Sequence, residues 1–184
     1  GLIPLQAMLD AGRYFLRKQS RSTGVADAEL IKIAVKSMGL DELYPFKAEE
    51  KIIEYVLKSQ NKSQSLIDLP MRDFCELTAS EFPAPGGGSV AAALGALGAA
   101  LGAMVANLSS HKAGWDDRWE EFSDWAERGK KCHDELLSLI DKDTEAFNQI
   151  MGTWKLPSGT EEEKATKEIA SQEAVLNAIA TPFR

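Results

Sequence analysis

The chain is predicted to be all-α, a helical bundle built around one helix of glycine and alanine. Three observations carry this. Apolar residues recur at three- and four-residue spacing through most of the sequence. A glycine turn, Pro83-Ala84-Pro85-Gly86-Gly87-Gly88, opens a run of small apolar residues that carries no charge as far as Ser110. From Trp115 to about Trp154 one apolar face persists for about ten turns, and a helix of that length needs partners along it.

Composition sets the outer bounds. The 184 residues are 44% hydrophobic and 27% charged, enough to bury a core in one or two domains. A net charge of -7, without a basic stripe, argues against a nucleic-acid partner. Cys75 and Cys132 stand apart, with no metal-ligand or redox spacing, and there are only 2 histidines. No metal site or disulfide is therefore expected, and a reducing, cytoplasmic compartment is. No signal-like segment follows Gly1, which reads as a trimmed or partial chain.

In chain order, a first helix begins at Pro4, with Leu5, Met8, Leu9, Phe15 and Leu16 on one face, and ends near Gln19. A second runs from about Asp27 to Gly39 on Leu30, Ile31, Ala34 and Val35. A third is expected from Lys47 to Leu57, with Ile52, Ile53 and Val56 apolar. The polar stretch from Lys58 to Ser65 reads as a linker, placed at residues 59–66. Pro70 starts a short helix carrying Phe74, Cys75 and Leu77, which Phe82-Pro83 closes.

The glycine helix is expected to begin near Ser89, with Ser89 as its N-cap, and the rest of the chain to wrap it. Backbone amides at such a helix start suit an anionic or electron-rich group. The uncharged run is long enough to span a bilayer. Its glycines and alanines make it only weakly hydrophobic and no basic cluster flanks it closely, so membrane insertion is not expected. In the long helix Trp115, Trp119, Phe122 and Trp125 read first as packing residues. Thr160 and Glu163 form a capping box for a last helix bearing Ile169, Ala174, Val175 and Ile179.

One residue breaks the apolar stripe. Asp143 has Leu139 and Ile140 behind it and Ala146 and Phe147 ahead at helical spacing, so its carboxyl points into the apolar face. Such surroundings favour the neutral acid, the form a general acid needs near neutral pH. The alternative is that Asp143 caps or bridges to another helix, for instance at the Ser89 end of the glycine helix, or meets a lysine. Asp141 lies on the polar side with Ser138, Thr144 and Glu145.

The stretch APGGGSVAAALGALGAALGAMVANLS, followed by LIDKDTEAF and then LP, resembles the cyclodeaminase region of the formiminotransferase-cyclodeaminase family, bifunctional folate enzymes of histidine breakdown. The opening, GLIPLQAMLDAGRYFLRKQ through ELIKIAVKSMGLDELYPFKAEEKIIEYVL, resembles the end of the formiminotransferase region. The resemblance implies that residues 1–58 are the terminal helices of an α/β transferase subdomain and that 67–184 are a cyclodeaminase domain truncated at its C-terminus. It implies conversion of 5-formiminotetrahydrofolate to 5,10-methenyltetrahydrofolate and ammonia, with the folate, in polyglutamylated form as well, as substrate and no further cofactor. The family's catalytic histidine for formimino transfer lies upstream of this sequence, so that transfer is not expected.

By the same resemblance Asp143 and Asp141 match the aspartates of the family's LxDxDxxAF pattern, with Asp143 as the catalytic acid. The amides of Gly86, Gly87, Gly88 and Ser89 are candidates to bind a folate oxygen, and Lys112 to pair with the glutamate tail. Two other readings stand beside this one. The chain is an assembly module that forms a homo-oligomer through its helical faces, or it resembles the single-domain methenyltetrahydrofolate cyclohydrolases, in which water replaces the internal amine.

Overall fold

The computed structural model describes residues 1–60 and 65–181. The helices are α1 (Leu5–Lys18), α2 (Asp27–Ser37), α3 (Ala48–Lys51), α4 (Ile53–Gln60), α5 (Met71–Thr78), α6 (Gly87–Ser109), α7 (Trp119–Trp154) and α8 (Glu161–Ala180). Single 3-10 turns lie at Leu66–Asp68 and Asp116–Arg118. No strand occurs among the described residues, so the all-α expectation holds. Residues 61–64, inside the expected linker, lie outside the described residues.

The chain forms two compact units. One joins α1 to α4 with α6 from Gly98 onward and α7 as far as His133. The other joins the first 3-10 turn and α5 to α6 up to Leu97, α7 from Asp134 onward, and α8.

In the first unit, Met8, Leu9 and Leu16 of α1 meet Leu30, Ile31 and Ala34 of α2, each at most 7% exposed. Burial of each large aliphatic side chain contributes about 1.5–3 kcal/mol. Gly12 permits the approach, since a Cβ there would stand 2.3 Å from the Leu30 carbonyl oxygen. The expected third helix is broken at Ile52, which adopts extended backbone. Ile3 N–H donates to the Lys51 carbonyl at 2.8 Å and Ile53 N–H to the Ile3 carbonyl at 3.1 Å, an isolated parallel bridge. Full burial of Ile52 and these tertiary bonds outweigh its helical periodicity.

The segment after α1 is held by polar contacts. Thr23 N–H donates to Ser123 Oγ at 3.0 Å, Ser22 Oγ to Asn107 Oδ1 at 2.6 Å, and Asn107 Nδ2 to the Gly24 carbonyl at 2.8 Å. A Cβ at Gly24 would fall 2.2 Å from the backbone carbon of Ala126. This contact sets which side of α7 is most buried: Ser123 and Ala126 are buried, Trp115, Trp119 and Phe122 are half-buried with Trp115 stacked on Phe122, and Trp125 is 55% exposed. Backbone approach over α7 requires small side chains there.

The same inversion governs α6. Ser89, Ala92, Ala96, Ala103 and Ala106 are buried, and Leu94, Leu97, Leu101 and Leu108 are at least half exposed. The helix is therefore covered on its small-residue face alone, which corrects the expectation of a helix wrapped by the rest of the chain. Close approach again sets the choice, because a Cβ on Gly129 would lie 3.0 Å from that of Ala103. By length and composition α6 is also the one helix among the described residues that is apolar enough to cross a membrane. In α8 the capping box forms as expected, but Ile169, Val175 and Ile179 are exposed and only Ala174 of its apolar positions is buried.

Candidate functional site

The site lies in the second unit, where the start of α6 meets the middle of α7. The first intrahelical bond of α6 runs from Val90 N–H to the Gly86 carbonyl, so Gly86 takes the cap position and Ser89 is already inside the first turn. Ser89 is thus not the N-cap. Three glycines can follow helical backbone as readily as a turn, and a partner on α7 rewards that choice.

That partner is Asp143. Its Oδ2 accepts from Ser89 N–H at 2.8 Å and lies 2.9 Å from Ser89 Oγ. A carboxylate from another helix thereby satisfies one orphan amide of α6, at the end where the helix dipole favours negative charge. Of the two sequence readings of this residue, bridging to the Ser89 end is the arrangement observed. Asp143 is half-buried, not enclosed by the apolar stripe.

Gly88 makes the approach possible. A Cβ there would stand 2.2 Å from Asp143 Oδ1 and 2.6 Å from Cγ, whereas at Gly86 and Gly87 it would meet nothing within 4 Å. Among the described residues no donor reaches Asp143 Oδ1.

Two cavities flank the carboxyl. One of about 300 Å³ is lined by Gly86, Gly87, Gly88, Asp143, Thr144 and the apolar Phe147 and Ile150. The other, about 220 Å³, is lined by Gly88, Ala91, Leu136, Leu139, Asp143 and Thr181. Among the described residues, Asp143 is the one titratable side chain lining either. A larger cavity of about 500 Å³ in the first unit, walled by Val105, Phe122 and Trp125, carries Arg128 and Cys132 but no carboxylate among the described residues. Volume favours the latter, but acid–base chemistry favours the pair beside Asp143.

The remaining expected site residues separate. Ser89 is fully buried and engaged with α7, so its side chain does not line the cavity that Gly86 to Gly88 line. Asp141 accepts from the Ser65 hydroxyl and, at 2.7 Å, from Leu66 N–H, and so caps the 3-10 turn at Leu66. Lys112 belongs to the first unit, with its Nζ 4.2 Å from the centre of the Trp115 ring, a cation–π contact. Sequence reading missed two groups. Thr144 Oγ1 lies 3.1 Å from Ser89 Oγ, and the Ile140 carbonyl oxygen lies 2.9 Å from it. The signal for both was adjacency: Thr144 follows Asp143, and Ile140 stands one turn before Thr144.

Comparison with known proteins bears on this geometry. Residues 70–184 match the family model described as Formiminotransferase-cyclodeaminase, and residues 1–58 the Formiminotransferase domain. Formimidoyltransferase-cyclodeaminase of Rattus norvegicus is 36% identical over all 184 residues, which span 34% of that protein's length. Methenyltetrahydrofolate cyclohydrolase of Methylorubrum extorquens is 38% identical over 110 residues, 60% of this chain and 53% of that one. The crystal structure of formiminotetrahydrofolate cyclodeaminase from Thermotoga maritima superposes with a TM-score of 0.53 at 33% identity, covering 63% of this chain and 54% of that one. The chain spans about a third of the length of the formimidoyltransferase-cyclodeaminases it matches. With a family match over most of its length and an aspartate set against the glycine turn, the chain belongs to the formiminotransferase-cyclodeaminase family.

Proposed function

We propose that the chain carries a folate cyclodeaminase site, with Asp143 as the acid that converts 5-formiminotetrahydrofolate to 5,10-methenyltetrahydrofolate and ammonia. One observation carries the reading: among the described residues, Asp143 is the one titratable group in the walls of two cavities at a glycine-built helix start. In the reaction N10 attacks the formimino carbon and forms the new C–N bond. The substrate reacts as its protonated formimino group, N5–CH=NH2+. Asp143 takes the N10 proton and returns it to that nitrogen, which then carries three hydrogens and leaves as ammonia when its C–N bond breaks, the positive charge staying on the methenyl product. Protonation is the demanding step, because an amide ion is a poor leaving group. The amides of Gly86, Gly87 and Gly88 supply donors for a pterin oxygen on the cavity wall. Asp141 acts through the 3-10 turn that it holds. The proposal calls on no cofactor, and it assigns no formimino transfer to residues 1–58.

The test is the methenyl chromophore. The chain mixed with 5-formiminotetrahydrofolate should develop it, and Asp143→Asn should not. Turnover by Asp143→Asn at the unsubstituted rate would overturn the assignment. The likeness to a cyclohydrolase supports one competing reading, hydrolysis of the methenyl product. In that case added methenyltetrahydrofolate would lose its absorbance while the formimino compound stayed unchanged. A non-enzymatic reading also has an observation in its favour. Leu94, Leu97, Leu101, Met104 and Leu108 form an exposed stripe along α6, which suits self-association into a homo-oligomer. Sedimentation of Leu101→Glu against the unsubstituted chain separates assembly from catalysis.

A further inference from the structure

We propose that Ser89 and Thr144 are positioning residues that saturate one oxygen of Asp143, so that Oδ1 alone exchanges the proton with substrate. The proposal rests on the reading of Asp143 as the catalytic acid, and extends it to the atom that acts and the groups that select it.

The argument is a count of protons and lone pairs. Ser89 Oγ carries one proton and two acceptor sites, and it is sealed from solvent. Two acceptors stand at 2.9 Å, Asp143 Oδ2 and the Ile140 carbonyl, and one proton cannot serve both fully. The Ile140 carbonyl sits inside α7, where the helix already supplies it a donor. A carboxylate gains more from the hydroxyl, because charge-assisted bonds are roughly twice as strong as neutral ones. Thr144 completes the set. With its hydroxyl 3.1 Å from Ser89 Oγ it donates to that oxygen, which leaves the Ser89 proton for Asp143.

Oδ2 thus receives a backbone N–H and a hydroxyl from Ser89. Oδ1 differs in each respect. No donor reaches it among the described residues; it packs against Gly88, where the absence of a Cβ leaves room for the carboxyl, and Asp143 lines the cavities on either side. A proton arriving at this carboxyl therefore binds Oδ1, and the N–H and O–H from Ser89 stay in place in both protonation states. This keeps the carboxyl aimed while it takes a proton from N10 and gives one to the leaving nitrogen. No other titratable group lines the cavities from α6, α7 or α8.

The test compares Thr144→Val, Thr144→Ser, Ser89→Ala and Asp143→Asn in the whole chain, by two readouts. In steady-state kinetics Thr144→Val should lower kcat about two- to tenfold with KM unchanged, the range of one neutral hydrogen bond, and Thr144→Ser should restore it. Ser89→Ala should lower kcat more, about tenfold or beyond, since it removes a bond to a charged group. In isotope-edited infrared spectra of aspartate-labelled protein, the carboxylate band lost in Asp143→Asn should shift in Ser89→Ala and in Thr144→Val and return in Thr144→Ser. The infrared readout stands without turnover. If Asp143→Asn keeps its activity, the catalytic reading fails, whatever the spectra show. If Asp143→Asn is inactive but the Asp143 band and kcat are unmoved in Ser89→Ala and Thr144→Val, the positioning role alone is overturned.

Discussion

Gly87 and Gly88 are neighbours in sequence and opposites in the structure, and alanine at each separates steric necessity from backbone convenience. A methyl at Gly88 lies 2.2, 2.6 and 2.8 Å from Oδ1, Cγ and Oδ2 of Asp143, so the whole carboxyl must swing away. That removes the two bonds from Ser89 at 2.8 and 2.9 Å and leaves a buried N–H unpaired. Bonds to a charged group contribute about 1.5–3 kcal/mol each, and they share one acceptor, so a loss of about 3–4 kcal/mol is expected. Replacing a helical glycine by alanine returns about 1 kcal/mol, for a net loss of about 2–3 kcal/mol. At Gly87 nothing lies within 4 Å of the new Cβ, so only the gain remains. Urea unfolding followed by far-ultraviolet circular dichroism is the assay. With a slope of about 1–3 kcal/mol/M, Gly88→Ala should lower the midpoint by about 1–2 M and Gly87→Ala should raise it slightly. Equal midpoints for the two variants would refute the close approach of Asp143 to α6.

Three further outcomes follow from the geometry. Asp141→Asn should loosen the turn at Leu66–Asp68, with faster hydrogen exchange at the Leu66 amide and a loss of about 1–2 kcal/mol, because a charged acceptor for two donors becomes a neutral one. Thr160→Ala removes the hydroxyl that accepts from Glu163 N–H at 3.2 Å and breaks the capping box. It should cost about 0.5–2 kcal/mol and speed exchange in the first turn of α8. Burial, and then the nearby Asp27 and Glu49 carboxylates, push the Tyr55 hydroxyl above its ordinary value, against Lys130 and Lys58. A raised value in the folded state stabilises it below the unfolded tyrosine value and loses that contribution as pH rises through the folded one. Thermal melts between neutral and strongly alkaline pH should therefore fall less steeply for Tyr55→Phe.

Helix identity was legible in the sequence wherever periodicity met a clean stop. The Thr160 and Glu163 box, the start of the helix after Pro70 and the end of α2 near Gly39 rest on local chemistry, and each formed as read. Ile52 was not legible. Its periodicity is helical, and only pairing with Ile3, far away along the chain, pulls it into extended form. Which face of an apolar helix turns inward was not legible either. Hydrophobicity ranks Leu97 and Trp125 above Ala96 and Ser123, whereas packing buried the smaller pair, because backbones approached closely there. At the site, the sequence singled out Asp143 and the glycine turn by their oddity among apolar neighbours. It did not choose between an acid enclosed in the stripe and a carboxylate bridging to Ser89.

By itself, then, the sequence determined the helical class, the approximate helix limits and the family, because these rest on local propensity and on motif order along the chain. The tertiary structure decided that Ser89 holds Asp143 from inside the first turn of α6, that Gly88 is the glycine the contact demands, and that Thr144 joins the set. These depend on distances between segments more than fifty residues apart, and spacing along one helix does not encode distances across two.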